Sequence, residues 1–241
     1  MQSQDPDKKL HGLLVVDKPA GWTSMDVVRR VRNAASKGRG KQKVGHAGTL
    51  DPLATGVLVL CFGRATRLVD RLMGQTKVYQ TTIDLSAFTA SDDAEMPREE
   101  VEVAVPPTVE EVDTALRAQT GLIEQVPPNF SAVHVGGRRA YQAARKGESV
   151  VLGAKQVRVD SIERLGYDWP SLELCITCGK GTYIRSIARD LGKLLGTGGH
   201  LTSLRRLSIG SYTLEQAVTP DDVMGGLDAA DILPIPEQLG G

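Results

Sequence analysis

Apolar residues fall along the chain in short runs, and their spacing switches between two periods. Leu13–Val16 is a four-residue apolar run closed by Asp17-Lys18-Pro19, the pattern of a buried strand entering a turn. Thr23 or Ser24 then stands where a helix needs a cap. Behind it come Val27, Val28, Val31, Ala34 and Ala35, one face of a 3.6-residue period. Gly38 and Gly40 end this helix in a basic loop. Val57–Phe62 reads as a buried strand, residues 64–73 as a short helix with Leu68 and Leu72 inward, and Val78–Leu85 as another strand. Ser86–Pro107 follows neither period and reads as a mobile acidic loop.

In the second half, Thr108 and Glu111 form a T-x-x-E capping box that opens a helix to about Gln119, with Gly121 as its stop. Pro127-Pro128 forces an extended entry into Phe130–Val135. Arg139–Lys146 reads as a short helix stopped by Gly147, and Val157–Leu165 with Leu172–Cys178 as paired strands across the turn Tyr167–Ser171. Tyr183–Leu195 is a helix with apolar residues at 184, 187, 188, 191, 194 and 195, and Gly196 is its C′ stop. Ile209–Leu214 is the last strand. Strands and helices mix without a βαβ rhythm and without an internal repeat. The pattern therefore predicts an α+β fold, a mixed and mostly antiparallel sheet flanked by helices and loops.

Composition narrows the class. Of 241 residues, 41% are hydrophobic and 24% charged, an ordinary globular balance. No apolar run approaches the roughly 18 residues of a membrane span, and the start MQSQDPDKKLHG lacks a signal-peptide core. Three cysteines cannot form a disulfide scaffold, so a cytoplasmic chain is expected. The formal net charge is zero, but the signs are segregated. Residues 84–113 hold ten acids and one base, and residues 207–241 hold six acids and no Lys or Arg. The remainder is strongly basic, and RRVRNAASKGRGKQK (29–43) carries seven bases and no acid. That segment is either a solvated helix face and loop or part of a basic surface for a polyanion.

The densest candidate for chemistry is VGHAGTLDPLATGVLVLCFG (44–63), with His46, Thr49, Asp51 and Thr55 set among glycines just before the apolar strand. Pro52 limits Asp51 to extended or turn geometry. A carboxylate on such a loop suits nucleophilic or acid–base work; it also suits an Asx turn with no chemistry. No Gly-Lys-Ser/Thr follows, so this is not a phosphate-binding P-loop. The four histidines are scattered, and no metal is expected. Cys175 and Cys178 form a C-x-x-C, but three residues apart on a strand they point to opposite faces. Arg185 falls in the first turn of its helix, capped in this reading by Thr182, where the helix dipole disfavours a cation; it is either an ordinary surface arginine or one rewarded by a carboxylate or phosphate. Ten aromatics, 4% of the chain, are few for an RNA-stacking platform and suit one extruded base in one pocket.

Five ordered motifs complete the picture: GLLVVDKPAGWTS (12–24), GHAGTLDPLATGVL (45–58), KVY (77–79), GTYIR (181–185) and LRRL (204–207). From about residue 11 to 224 the sequence resembles the bacterial TruB-type tRNA pseudouridine-55 synthases. The resemblance implies the pseudouridine-synthase fold and the isomerisation of uridine 55 in the TΨC arm of tRNA, with no cofactor, metal or guide RNA. Asp51 matches the family's nucleophile. Tyr79 matches the tyrosine that stacks on the uracil and is a candidate base for the reaction, and Arg185 the arginine paired with the catalytic aspartate. His46 matches the histidine that fills the gap left by the flipped base, and Tyr183 and Leu204 match residues lining the uracil pocket. The basic stretches at 29–43, 138–146 and 180–206 would then hold phosphates. In the family's T-D-T-x-D-like segment this chain has Ala90 at the first acidic position, leaving Asp93 as the clear match.

The expected organisation is an unordered tail (1–10), a catalytic domain (11–215) and an acidic extension (216–241) without a C-terminal PUA-like domain. A monomer that binds tRNA more weakly than longer relatives is expected.

Overall fold

The structure, a computed structural model, describes residues 9–131, 134–135, 138–139 and 152–235. The expected helix at Arg139–Lys146 lies outside these apart from Arg139 itself. The chain divides into two compact units, residues 9–77 with 205–235, and residues 78–204.

In the first unit, strand β1 (Gly12–Lys18) leads into helix α1 (Ser24–Ala35), and strands β2 (Val44–His46) and β3 (Thr55–Phe62) follow. A 3-10 turn (Gly63–Leu68) and helix α2 (Val69–Gly74) replace the single helix expected at 64–73, with Leu68 and Leu72 buried as expected. β3 is the central strand. β1 lies antiparallel along one edge, from Gly12↔Phe62 to Lys18↔Gly56. On its other edge β2 pairs antiparallel with the later half, and Arg205 and Arg206 pair in parallel with Thr55 and Gly56.

The two-residue period of β1 and β3 divides the core. Leu14, Val16, Leu58, Leu60 and Phe62 face α1, whose Val27, Val28, Val31, Ala34 and Ala35 complete that layer. Leu13, Val15, Val57, Val59 and Cys61 face the other way, onto Leu68 and Leu72. Thr23 caps α1 in a full capping box with Asp26. The acidic segment after residue 215 is stitched to β1: Val218 and Leu233 exchange backbone hydrogen bonds with it, and Val223 and Leu227 enter the α1-side core.

In the second unit the strands are, in chain order, β4 (Lys77–Asp84, whose first residue belongs to the first unit), β5 (Ala87–Thr89), β6 (Arg98–Glu100), β7 (Gly121–Gln125), β8 (His134–Val135), β9 (Arg138–Arg139), β10 (Lys155–Asp168) and β11 (Ser171–Cys178). Strand β12 (His200–Ile209) begins here and ends in the first unit, where it turns into β13 (Tyr212–Thr213). The sheet runs β12-β4-β11-β10-β7. The β10–β11 hairpin closes through a cis Trp169–Pro170 bond, with Leu172, Leu174, Ile176 and Cys178 buried at alternate positions. Helix α3 (Val109–Ala118) carries the expected Thr108–Glu111 capping box and packs against α4 (Ile184–Leu195), which ends on left-handed Gly196 (φ 68°).

Three expectations need correction. Ser86–Pro107 is not a structureless loop. β5 pairs with β6, and the turn between them buries Ser91, Asp92 and Asp93. Its order comes from hydrogen bonds and ion pairs, which leave no hydrophobic period to read. The last strand does fall within Ile209–Leu214, as β13, but the long strand before it, His200–Ile209, was not expected. Arg206 interrupts its apolar pattern, yet it is buried, with guanidinium donors on Val57 O and Gly48 O. Thr182 does not cap α4: Tyr183 occupies that position, and the Thr182 hydroxyl donates to Arg158 O at 3.3 Å.

Candidate active site

The site residues named by the sequence fall in two groups. His46 and Asp51 belong to the first unit; Tyr79, Tyr183, Arg185 and Leu204 belong to the second.

His46 ends β2, and Asp51 lies half-buried on the loop between β2 and β3. Three buried side chains hold that loop by its backbone. The Ser24 hydroxyl accepts from Leu50 N at 2.8 Å and donates to Leu50 O at 3.0 Å. Lys18, wholly buried, donates to Pro52 O (3.3 Å), Pro19 O (2.9 Å) and Trp22 O (2.6 Å), and Gly21 N joins it on Pro52 O at 2.8 Å. Arg206, also buried, donates from Nε to Val57 O at 2.7 Å and from its guanidinium to Gly48 O at 3.1 Å. Asp51 O accepts from Ala54 N at 3.1 Å, closing a turn around Pro52. Each donor replaces lost water with a carbonyl, so two buried cations here are structural ties.

The carboxylate therefore projects from a rigid loop on a sheet scaffold, the arrangement suited to a positioned nucleophile. Burial, and after it the Arg206 charge, hold the His46 imidazole below its ordinary pKa of 6.5, so the ring is neutral at pH 7. Its Nδ1 has no hydrogen-bond partner among the described residues.

In the second unit, Tyr79 sits on β4 on the same face as Thr81 and Ile83, and both Tyr79 and Leu204 are buried. Tyr183 is fixed through its backbone: its N–H donates to Gln125 Oε1 (2.8 Å), and Gln125 Nε2 donates to its carbonyl (3.2 Å). Arg185 is buried in the first turn of α4. It donates to Ser91 O and Phe130 O, each at 3.0 Å, and lies 3.6 Å from the Asp93 carboxylate. Here is an anion of the kind its place at the helix start requires. One turn further on, Arg189 donates to Asp92 Oδ2 at 2.9 Å. Burial pushes the Asp92 carboxyl up to about 6 against the opposing pull of Arg189 and then Arg185. Ala90 is exposed.

Sequence reading missed Lys18, Ser24 and Arg206 as loop anchors, and Asp92 with Arg189 as a buried pair. Lys18 and Ser24 flank a strand end and a helix start, and no local pattern marks their reach to residues 50–52. Cys175 and Cys178 do alternate in burial along β11, as the strand reading requires. Among the described residues, no group of three or more His, Cys, Asp or Glu is placed to hold a metal.

The sheet and its flanking helices superpose on a chain of the Cbf5–Nop10–Gar1 complex with a TM-score of 0.66 and 27% identity, over 88% of this chain and 53% of that one. A chain of the archaeal box H/ACA Nop10–Cbf5 complex gives 0.64 and 27%, over 92% and 57%. This chain thus spans little more than half of those solved chains, and its fold is that of the pseudouridine synthases. At the sequence level, a tRNA pseudouridine synthase B of Thermobifida fusca is 51% identical over 88% of this chain and 74% of its own length. One of Parabacteroides distasonis is 46% identical over 88% and 91%. The family model described as "TruB family pseudouridylate synthase (N terminal domain)" matches residues 36–184, and "tRNA pseudouridylate synthase B C-terminal domain" matches residues 185–231. The chain belongs to the TruB family of pseudouridylate synthases.

Proposed function

We infer that this chain isomerises uridine 55 in the TΨC arm of tRNA to pseudouridine. The observation that carries the reading is the run of both family models, in order, through the loop that bears Asp51 and the helix that bears Arg185. In the reaction the bond from N1 of the uracil to C1′ breaks and the base turns. A bond from C5 to the same carbon then forms, and the C5 hydrogen leaves to solvent. Asp51 acts as the nucleophile on its anchored loop. Tyr79 stacks on the uracil, and Tyr183 and Leu204 line its pocket. Arg185 supplies a cation that favours an ionised carboxylate. His46, neutral at pH 7, fills the gap the flipped base leaves and offsets part of the few kcal/mol that unstacking costs. The chain acts alone, without guide RNA, cofactor or metal.

The test is tritium release from a tRNA transcript labelled at uridine C5. The intact protein is expected to release about one equivalent, and none when uridine 55 is replaced by cytidine. Asp51→Asn is expected to abolish release while leaving tRNA affinity within about twofold, since charge at one carboxylate adds little to phosphate-dominated binding. Release by Asp51→Asn at the wild-type rate refutes the nucleophile. Activity on an isolated TΨC stem-loop without added RNA supports guide-free action; dependence on a second RNA refutes it.

A further inference from the structure

The turn between β5 and β6 meets α4 at two points, one helical turn apart. Arg185 and Arg189 stand at i and i+4, hence on one face of the helix. The turn offers each of them a different group: Ser91 O and the Asp93 carboxylate to Arg185, the Asp92 carboxylate to Arg189.

The turn is built to make that offer. Asp92 adopts a left-handed conformation, φ 61°, and is the one non-glycine residue to do so among those described. Thr89 Oγ1 donates to Asp93 O (2.7 Å), Ser91 Oγ donates to Asp93 Oδ1 (2.6 Å), and Leu201 N donates to Asp92 O (3.1 Å). Arg189 is itself tied down by Val126 O at 2.8 Å and by Asp190 at 2.9 Å. Backbone strain and a buried ionised carboxylate both cost free energy, and neither serves the core.

We propose that the Asp92–Arg189 ion pair is a positioning clamp, which fixes the turn against α4 so that Ser91 and Asp93 hold the Arg185 guanidinium in its working orientation. The proposal rests on the reading of Arg185 as part of the active site. Neither member of the pair is assigned contact with the RNA. The charged groups facing Asp92 are Arg189, Arg185 and Asp190 from α4 and its neighbour Asp93 on the turn; β12 meets it through the Leu201 backbone. Asp92 is raised to about 6, so its charge, and with it the clamp, is lost as pH falls through that value.

The experiment is kinetics of Asp92→Asn by tritium release from labelled tRNA, with thermal midpoints measured in parallel. Asparagine is isosteric and tolerates the left-handed region, so the fold is retained. At pH 7.5 kcat is expected to fall about ten- to hundredfold, the range for misplacement of a catalytic group, with KM for tRNA changed less than about twofold. The midpoint is expected to be no lower than wild type, because a buried ionised group has been removed. The ratio of wild-type to variant kcat is expected to shrink towards one as pH falls below about 6. Arg189→Lys should retain more kcat than Arg189→Met.

An unchanged kcat in Asp92→Asn, a ratio that does not vary with pH, or a kcat loss matched by a lowered midpoint each overturns the clamp. Arg185→Lys separates the two layers. If it is inactive while Asp92→Asn is fully active, the clamp alone fails. If Arg185→Lys is fully active, the reading of Arg185 fails and takes the clamp with it.

Discussion

Gly56 has no room for a side chain. Its φ is +100°, and a Cβ there would run into the backbone of Arg206 on the parallel neighbour of β3. Backbone cannot swing aside as a rotamer does, so Gly56→Ala must both strain φ and open the β3–β12 pairing. A loss of at least about 3 kcal/mol is expected, read by urea denaturation. His46 offers a gentler test. Burial and the Arg206 charge both disfavour its imidazolium, so NMR titration should find its pKa below 6.5. The stability that comes with neutral His46 is then complete above that value and is lost as pH falls below it. At this scale a Gly-rich loop and Pro52 mark Asp51 out in the sequence as a candidate. The sequence was silent on Lys18 and Ser24, whose partners lie about 30 residues away.

Among the elements, α1, α3 and the β10–β11 hairpin stood where local signals put them, whereas the Thr182 cap did not. Thr108 and Glu111 do cap α3 reciprocally, with Thr108 N donating to Glu111 Oε2 at 2.7 Å and Glu111 N to Thr108 Oγ1 at 3.3 Å. Thr108→Ala should cost about 1 kcal/mol of stability by chemical denaturation. Turnover should be unaffected, because the cap touches none of the site residues. Gly196 ends α4 for an equally local reason. The β5–β6 turn was illegible because polar groups order it: Arg98 bonds Ser86 and Arg189 bonds Asp92. β12 was missed because Arg206 reads as a surface residue until the carbonyls of Gly48 and Val57 are seen beside it.

For the molecule as a whole, charge is the property the fold rearranges most. The basic stretch 29–43 and the acidic end of the chain look like opposite patches in sequence, yet within the first unit they meet. Arg39 pairs with Asp228 at 2.6 Å, Arg30 approaches Asp221 at 3.5 Å, and Lys37 donates to Met224 O. Part of the expected phosphate surface is therefore already neutralised. Binding to tRNA should still depend on salt, since the exposed Lys41 and Lys43 form no ion pair with the acidic end among the described residues. An affinity loss of at least about tenfold between 50 and 200 mM salt is expected in filter binding, corresponding to a few phosphate contacts. A flat salt profile would show that basic side chains do not carry the affinity.

The sequence by itself determined what depends on near neighbours: the strand and helix periods, the caps at Thr108 and Gly196, the loop that carries Asp51, and, through its ordered motifs, the family. Only the tertiary structure decided which cations are buried ties, which carboxylates are paired, and where the acidic segments go. Those outcomes are contacts between residues far apart in the chain, such as Asp92 with Arg189 or Arg206 with Gly48. Their energy depends on burial and distance, which no local pattern of residues encodes.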